Sequence, residues 1–118
     1  MTTVLIIDDE YLIVDILSYA LEDEGYLTVK AASAQKALDI LDRERPQLII
    51  TDYMMPGMNG IQLAEQIRQR PGMHATPIIL MSGAQAALGK ARPDLFSDVL
   101  EKPFEIVHVL AAVRRQVN

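Results

Sequence analysis

The chain has no cysteine among its 118 residues. A disulfide scaffold and a thiolate metal site are therefore both excluded. Positive charge is also scarce. Eleven lysines and arginines face 16 aspartates and glutamates, a formal net charge of −5 with a pI near 4.9. With no basic surplus to displace counterions, general binding to a nucleic-acid backbone is not expected. No apolar run approaches the roughly 18 residues of a membrane span. The opening Met1-Thr2-Thr3 lacks the basic flank of a signal peptide. Linkers, internal repeats and low-complexity tracts are missing too. So is the composition of a disordered chain, because half the residues are apolar, 23% are charged and the mean hydropathy is +0.14. The expectation is a single domain over residues 1–118, long enough to bury a core and working in the cytoplasm away from membrane and nucleic acid.

What is present alternates between two periods. Val4-Leu5-Ile6-Ile7 is a continuous apolar run ending abruptly in Asp8-Asp9-Glu10, the pattern of a strand covered on both faces. Ile13, Ile16, Leu17, Ala20 and Leu21 then follow helical spacing, and Gly25 supplies a stop. Leu27 to Ala31 reads as a second strand. Ser33 is an N-cap candidate for a helix with Ala34, Ala37, Leu38 and Leu41 on one stripe. Leu48-Ile49-Ile50 forms a third strand that stops at Thr51-Asp52. A turn through Pro56-Gly57 leads to a helix carrying Ile61, Leu63, Ala64 and Ile67.

Pro77 to Met81 is the fourth strand, and Val99-Leu100 lies in a short fifth. A last helix from about Phe104 to Val117 has Ile106, Val109, Leu110, Val113 and Val117 on its inner face. Between Ala84 and Phe96, Gly89 and Pro93 interrupt an alanine-rich stretch, so the fourth helix is expected to be short or distorted. Strands alternating with helices imply right-handed βαβ units, hence a doubly wound α/β fold with a five-stranded parallel sheet.

In such sheets ligands bind beyond the carboxyl ends of the strands. Four of the five strands end in chemistry: Asp8-Asp9, Asp52, Ser82 and Lys102. Taken singly, each has a plain explanation as a helix cap, a turn residue, a loop serine or a solvated lysine. Together they converge on one crevice. Three carboxylates ~5 Å apart repel by roughly 3 kcal/mol per pair at an effective dielectric of about 20, and a fold does not assemble them without a compensating cation. Hard oxygens with no His or Cys nearby suit Mg²⁺, whereas calcium would need more ligands than the chain offers there. A lysine and a hydroxyl beside Mg²⁺ are the parts that hold a phosphoryl group. A carboxylate can itself be the nucleophile, and Asp52 is the central candidate. On the repulsion argument alone, Asp52→Asn is expected to stabilise the metal-free protein.

In this combination the sequence resembles a response-regulator receiver domain of bacterial two-component signalling, over essentially its whole length. The segments that carry the resemblance are Ile6-Ile7-Asp8-Asp9-Glu10, Ile50 to Gly60, Ile79-Leu80-Met81-Ser82-Gly83 and Glu101-Lys102-Pro103-Phe104. Receivers are themselves among the proteins that follow the crevice rule, so topology and resemblance are one signal rather than two. The resemblance implies a flavodoxin-like strand order 2-1-3-4-5. It implies Asp52 as phosphoacceptor, Asp9 as a direct Mg²⁺ ligand with the Asp52 carboxylate and the Met54 carbonyl, and Asp8 acting on the metal through water. Lys102 would contact the phosphoryl oxygens, Ser82 would move to hydrogen-bond them, and the Lys102-Pro103 bond would be cis. The donor would be a phosphohistidine on a sensor histidine kinase or a histidine phosphotransfer protein, and the listener a downstream effector protein. Such a domain phosphorylates and dephosphorylates itself rather than turning over substrate; a homodimer stays open.

Two departures stand out. The family usually has Tyr or Phe three residues before the lysine, where this chain has Val99, and the Ser82 to Lys102 segment is about two residues short. Phosphorylation is therefore expected to be reported by another rearrangement, within Ala84 to Phe96. A flavodoxin-like cofactor binder is disfavoured by acids where a phosphate loop should be. A haloacid-dehalogenase-type phosphatase is disfavoured by Leu12, which stands where a threonine would follow Asp8 and Glu10. His74 and His108 do not lie in the helical bundle of a phosphotransfer module. The runner-up is an interaction module that keeps the site but only binds a partner.

Overall fold

The computed structural model describes residues 1–117. Each apolar run forms a strand and each amphipathic segment a helix, in strict alternation: β1 (Thr3–Ile7), α1 (Tyr11–Asp23), β2 (Leu27–Ala31), α2 (Ala34–Leu41), β3 (Leu48–Asp52), α3 (Gly60–Gln69), β4 (Ile78–Ser82), α4 (Ala86–Lys90), β5 (Asp98–Glu101) and α5 (Ile106–Val117). The strands form one sheet in the order β2-β1-β3-β4-β5, with every pairing parallel.

The continuous apolarity of the inner strands follows from cover on both faces. Val4, Ile6, Leu48, Ile50, Ile79 and Met81 pack against α1 and α5 through Val14, Leu17, Leu21, Val109 and Val113. The alternate residues Leu5, Ile7, Ile49, Ile78 and Leu80 face α2 and α3 through Leu38, Leu41, Leu63 and Ile67. Each fully buried Leu or Ile contributes roughly 1.5–3 kcal/mol relative to exposure. A one-residue slip in any inner strand would exchange these two sets.

Local signals set the helix ends. Ser33 accepts from Lys36 N at 3.1 Å, as its position predicts. Asn59 and Gln62 form a reciprocal capping box at the start of α3, both bonds 2.9 Å. Gly25 ends α1 at φ 94°, a conformation open to glycine.

Three details differ from the sequence reading. Ile16 is 51% exposed, and Val14 and Ser18 take the inward positions of α1 instead. Ser18 reaches Thr28 on β2 at 2.6 Å, so a polar residue there is satisfied across the sheet edge. The last helix begins at Ile106, two residues later than the periodicity suggests. Finally, Gly89 lies inside α4 and does not interrupt it. A Cβ at Gly89 would stand 2.5 Å from Leu80 Cδ2 and 3.2 Å from Val99 Cγ2, so its absence lets the helix settle directly on β4 and β5. The helix is nevertheless five residues long, as short as expected.

Candidate functional site

Each candidate side chain stands at the end of a ladder, and the ladder continues just far enough to hold it. Asp8 N donates to Ala31 O at 3.2 Å, one rung beyond β1. Tyr53 N donates to Met81 O at 2.9 Å, which holds the chain immediately after Asp52. Lys102 N donates to Ser82 O at 2.8 Å, which ties the end of β5 to the end of β4. Because all strands are parallel, the four termini open on one side.

The fold brings Asp8, Asp9, Asp52 and Lys102 together. One carboxylate oxygen from each aspartate lies within 4.8 Å of the other two. Asp8 and Asp52 are buried while Asp9 is exposed. Lys102 Nζ is 2.8 Å from Asp52 Oδ1 and 3.9 Å from Asp8 Oδ2. Asp8 Oδ1 accepts from Glu10 N at 3.0 Å, but Asp8 Oδ2 is buried without a hydrogen bond. Burial pushes the Asp8 carboxyl up to about 6, with the Asp52 charge adding to the rise and the Glu10 amide and Lys102 opposing it. For Lys102 burial pulls downward, but the hydrogen bond to Asp52 and the charges of Asp52, Asp8 and Glu10 outweigh it and raise the ammonium above its ordinary value.

Three acids against one lysine leave a local charge of −2 when all are ionised. The orphaned Asp8 oxygen, the spacing of the three carboxylates and the hardness of the donors all fit a small divalent cation. The residues present can therefore hold Mg²⁺.

The other candidates lie around this cluster. Ser82 closes β4, 1% exposed, and its Oγ has no hydrogen-bond partner. Met54 follows in the turn after β3 with its side chain 62% exposed. The Lys102-Pro103 bond is cis. Val99 pairs with Leu80 across β4 and β5 and lies beneath Gly89 rather than beside the acids.

Three residues have a place that the sequence alone does not give them. Glu10, exposed at the N-cap of α1, lines a cleft of about 440 Å³ with Ile13, Lys102, Pro103 and Phe104. Thr51, fully buried, donates to the Asp52 carbonyl at 3.0 Å; a polar residue inside an apolar strand was the available signal. Gly60 is a third. Its N donates to Tyr53 O at 2.8 Å, and a Cβ there would meet Asp52 O at 2.5 Å. The end of β3 and the start of α3 thus touch backbone to backbone.

The arrangement can bind a divalent cation, present a buried carboxylate as a nucleophile and neutralise a dianion from the Lys102 side. Comparison with known proteins gives the family and the fold. A family model described as "Response regulator receiver domain" matches residues 4–114. The chain is similar to the regulatory protein VanR of Enterococcus faecium, 32% identical over 117 residues that make up 98% of this chain and 49% of VanR. It is similar also to the alkaline phosphatase synthesis transcriptional regulatory protein PhoP of Bacillus subtilis, 34% identical over 94% of this chain and 46% of PhoP. The chain therefore spans about half the length of these two relatives. Among solved structures, the signal receiver domain of a signal transduction histidine kinase from Syntrophus aciditrophicus superposes with a TM-score of 0.89 at 28% identity, covering 99% of this chain and 90% of that one.

Proposed function

This chain belongs to the response regulator receiver domain family, and from that premise we propose that Asp52 accepts a phosphoryl group from a phosphohistidine on a partner sensor kinase or phosphotransfer protein. The observation that carries this reading is the contact of Lys102 with Asp52 inside a cluster of three acids. An Asp52 carboxylate oxygen attacks phosphorus, the phosphorus–nitrogen bond to the donor imidazole breaks, and its electron pair stays on the ring nitrogen, which takes a proton.

Asp8, Asp9 and Asp52, with the Met54 carbonyl, would hold Mg²⁺, which supplies positive charge against the phosphoryl oxygens when bound. Lys102, 2.8 Å from Asp52 Oδ1, would neutralise charge on the transferred group. The Ser82 hydroxyl, buried and unpartnered, gains its hydrogen bond when a phosphoryl oxygen arrives within reach. Residues 1–118 act as one receiving unit in the cytoplasm, and the phosphorylated form is read by an effector protein or by a domain joined to this one. Turnover of a diffusible substrate plays no part.

Among the described residues no helix is long and apolar enough to cross a membrane. The test is intact-mass spectrometry after incubation with Mg²⁺ and acetyl phosphate. Wild type is expected to gain one phosphoryl group and Asp52→Asn none. A wild-type chain that stays unlabelled while still binding a partner would leave the interaction-module reading in its place.

A further inference from the structure

Five polar or charged residues are buried among the described ones: Asp8, Ser18, Thr51, Asp52 and Ser82. Asp8, Asp52 and Ser82 belong to the crevice, and Ser18 is satisfied by Thr28 at the sheet edge. Thr51 has no such part. It is the last residue of β3 paired on both sides, opposite Ile7 of β1 and Leu80 of β4, on a face of the sheet that is otherwise apolar there. Packing alone would be served by valine, which has the same shape. A hydroxyl in such a place costs free energy unless it finds a partner.

Its partner is the Asp52 carbonyl, 3.0 Å from Thr51 Oγ1. The Tyr53 amide reaches Met81 O on β4, so by the alternation of a strand the Asp52 carbonyl points the other way, towards β1. Pairing of β1 with β3 ends at Ile7 and Thr51, and the next amide of that chain, Asp8 N, bonds Ala31 O beside β2 instead. The Thr51 hydroxyl thus stands in for a missing rung. Gly60 covers the same oxygen from α3, close enough that a Cβ there would lie 2.5 Å from it. The peptide unit joining Asp52 to Tyr53 is held at both ends, by Thr51 at its oxygen and by Met81 at its nitrogen.

We propose that Thr51 is a positioning residue for phosphoryl acceptance, its hydroxyl fixing the peptide plane after Asp52 and, through it, the aim of the Asp52 carboxylate. The inference rests on Asp52 being the acceptor and adds a residue that acts on it from inside the sheet. Without the hydroxyl, that peptide can rock about the bonds on either side of it, and the Asp52 side chain tilts with the backbone that carries it. Lys102 then holds one oxygen of a carboxylate whose other oxygen no longer lies in line with the bond to be broken. In-line attack tolerates little misplacement, so the loss falls on the rate of transfer rather than on binding of donor or metal.

Two pairs of chains differ by this hydroxyl alone: wild type with Thr51→Val, and Thr51→Ser with Thr51→Ala. Labelling from acetyl phosphate in Mg²⁺ is followed by intact-mass spectrometry, well below each unfolding midpoint, and gives a maximal rate and half-saturating concentrations of donor and of Mg²⁺. Within each pair, loss of the hydroxyl is expected to lower the maximal rate about tenfold or more and to leave both half-saturating concentrations within about twofold. Thr51→Ser should label within about threefold of wild type. A threonine that only supports the fold would lower the unfolding midpoint and leave the maximal rate unchanged, and that result overturns the proposal. So does a Thr51→Ser chain as slow as Thr51→Ala, or a raised Mg²⁺ requirement in place of a lowered rate. Should Thr51→Val fail to fold, the serine and alanine chains decide the matter by the same criteria. Equal rates within a pair while wild type is labelled at Asp52 leave the acceptor reading standing, whereas a wild type without that label overturns both.

Discussion

Lys102 Nζ lies 2.8 Å from Asp52 Oδ1 and 3.9 Å from Asp8 Oδ2, so one ammonium serves two buried carboxylates unequally. Asp52 receives a hydrogen bond from it, and the nearer Asp8 oxygen receives none. The ion pair offsets much of the repulsion that Asp52 feels from its neighbours. It therefore moves the expected stabilising substitution from Asp52 to Asp8.

Asp8→Asn is expected to raise the stability of the metal-free protein at neutral pH. Burial lifts the Asp8 carboxyl to about 6 from 3.8, so ionising it in the folded state costs up to about 3 kcal/mol by linkage. Urea unfolding in EDTA at pH 7 reads the gain directly. A variant less stable than wild type would remove the argument.

The same shift sets a pH dependence. The folded state keeps the Asp8 proton through a window in which the unfolded chain has already lost it, because the folded value lies above the unfolded one. Stability therefore falls as pH rises from about 4 to about 6 and is level beyond, for this group. Wild type and Asp8→Asn should converge at pH 4 and separate by pH 7 in metal-free urea titrations.

Mg²⁺ should raise the thermal midpoint of wild type, by an amount equivalent to about 1.4 kcal/mol at ten times its dissociation constant. Asp9→Asn should lose most of that increment while matching wild type in EDTA to within about 0.5 kcal/mol, since Asp9 is exposed. Differential scanning calorimetry with and without the ion checks both parts.

Lys102→Ala acts in the opposite direction to Asp8→Asn. It leaves Asp8 and Asp52 without an ammonium, and a loss of about 1–2 kcal/mol is expected in the metal-free state, moderated because the lysine side chain is 30% exposed. The wild-type contribution should fade above the ordinary lysine range, because the folded ammonium titrates higher than the unfolded one. Chemical unfolding at pH 7 and above pH 11 separates the two regimes, and labelling from acetyl phosphate should slow markedly.

Gly60→Ala should destabilise by about 2–4 kcal/mol, because the new Cβ meets the Asp52 carbonyl at 2.5 Å and backbone cannot step aside cheaply. Gly83→Ala is the control. A methyl group there would have nothing within 4 Å, so a change within about 0.5 kcal/mol is expected. Equal effects at the two positions would contradict the close approach of β3 and α3.

The fold was largely legible because its strands are buried on both faces, which writes them as unbroken apolar runs that end in charge. Asp8, Asp52 and Lys102 could be found for the same reason, each marking where a run stops. Other features leave no such trace. Asp8 and Asp9 are adjacent acids, and the burial of one and exposure of the other depends on strand register rather than on residue type. Ile16 satisfies helical spacing yet faces out, because Ser18 can pair with Thr28 and take an inward place. Arg68 resembles a solvated helix residue in sequence, since the three carbonyls it ties are backbone groups that any residues would supply. Gly89 reads as a helix breaker until Leu80 and Val99 are seen beneath it.

The backbone contact between Gly60 and the end of β3 has a consequence for chemistry as well as for packing. With Tyr53 bonded on one side to Met81 and on the other to Gly60, the main chain beside Asp52 has no slack in which to follow an incoming reagent. An acceptor at Asp52, as proposed above, would be stationary, so its donor would have to supply the trajectory. Asp9 and Met54 are the exposed residues next to the acids. On that proposal, choice among donors would be exercised at the rim, by clearance and charge along the path of entry, before any bond at Asp52 begins to form.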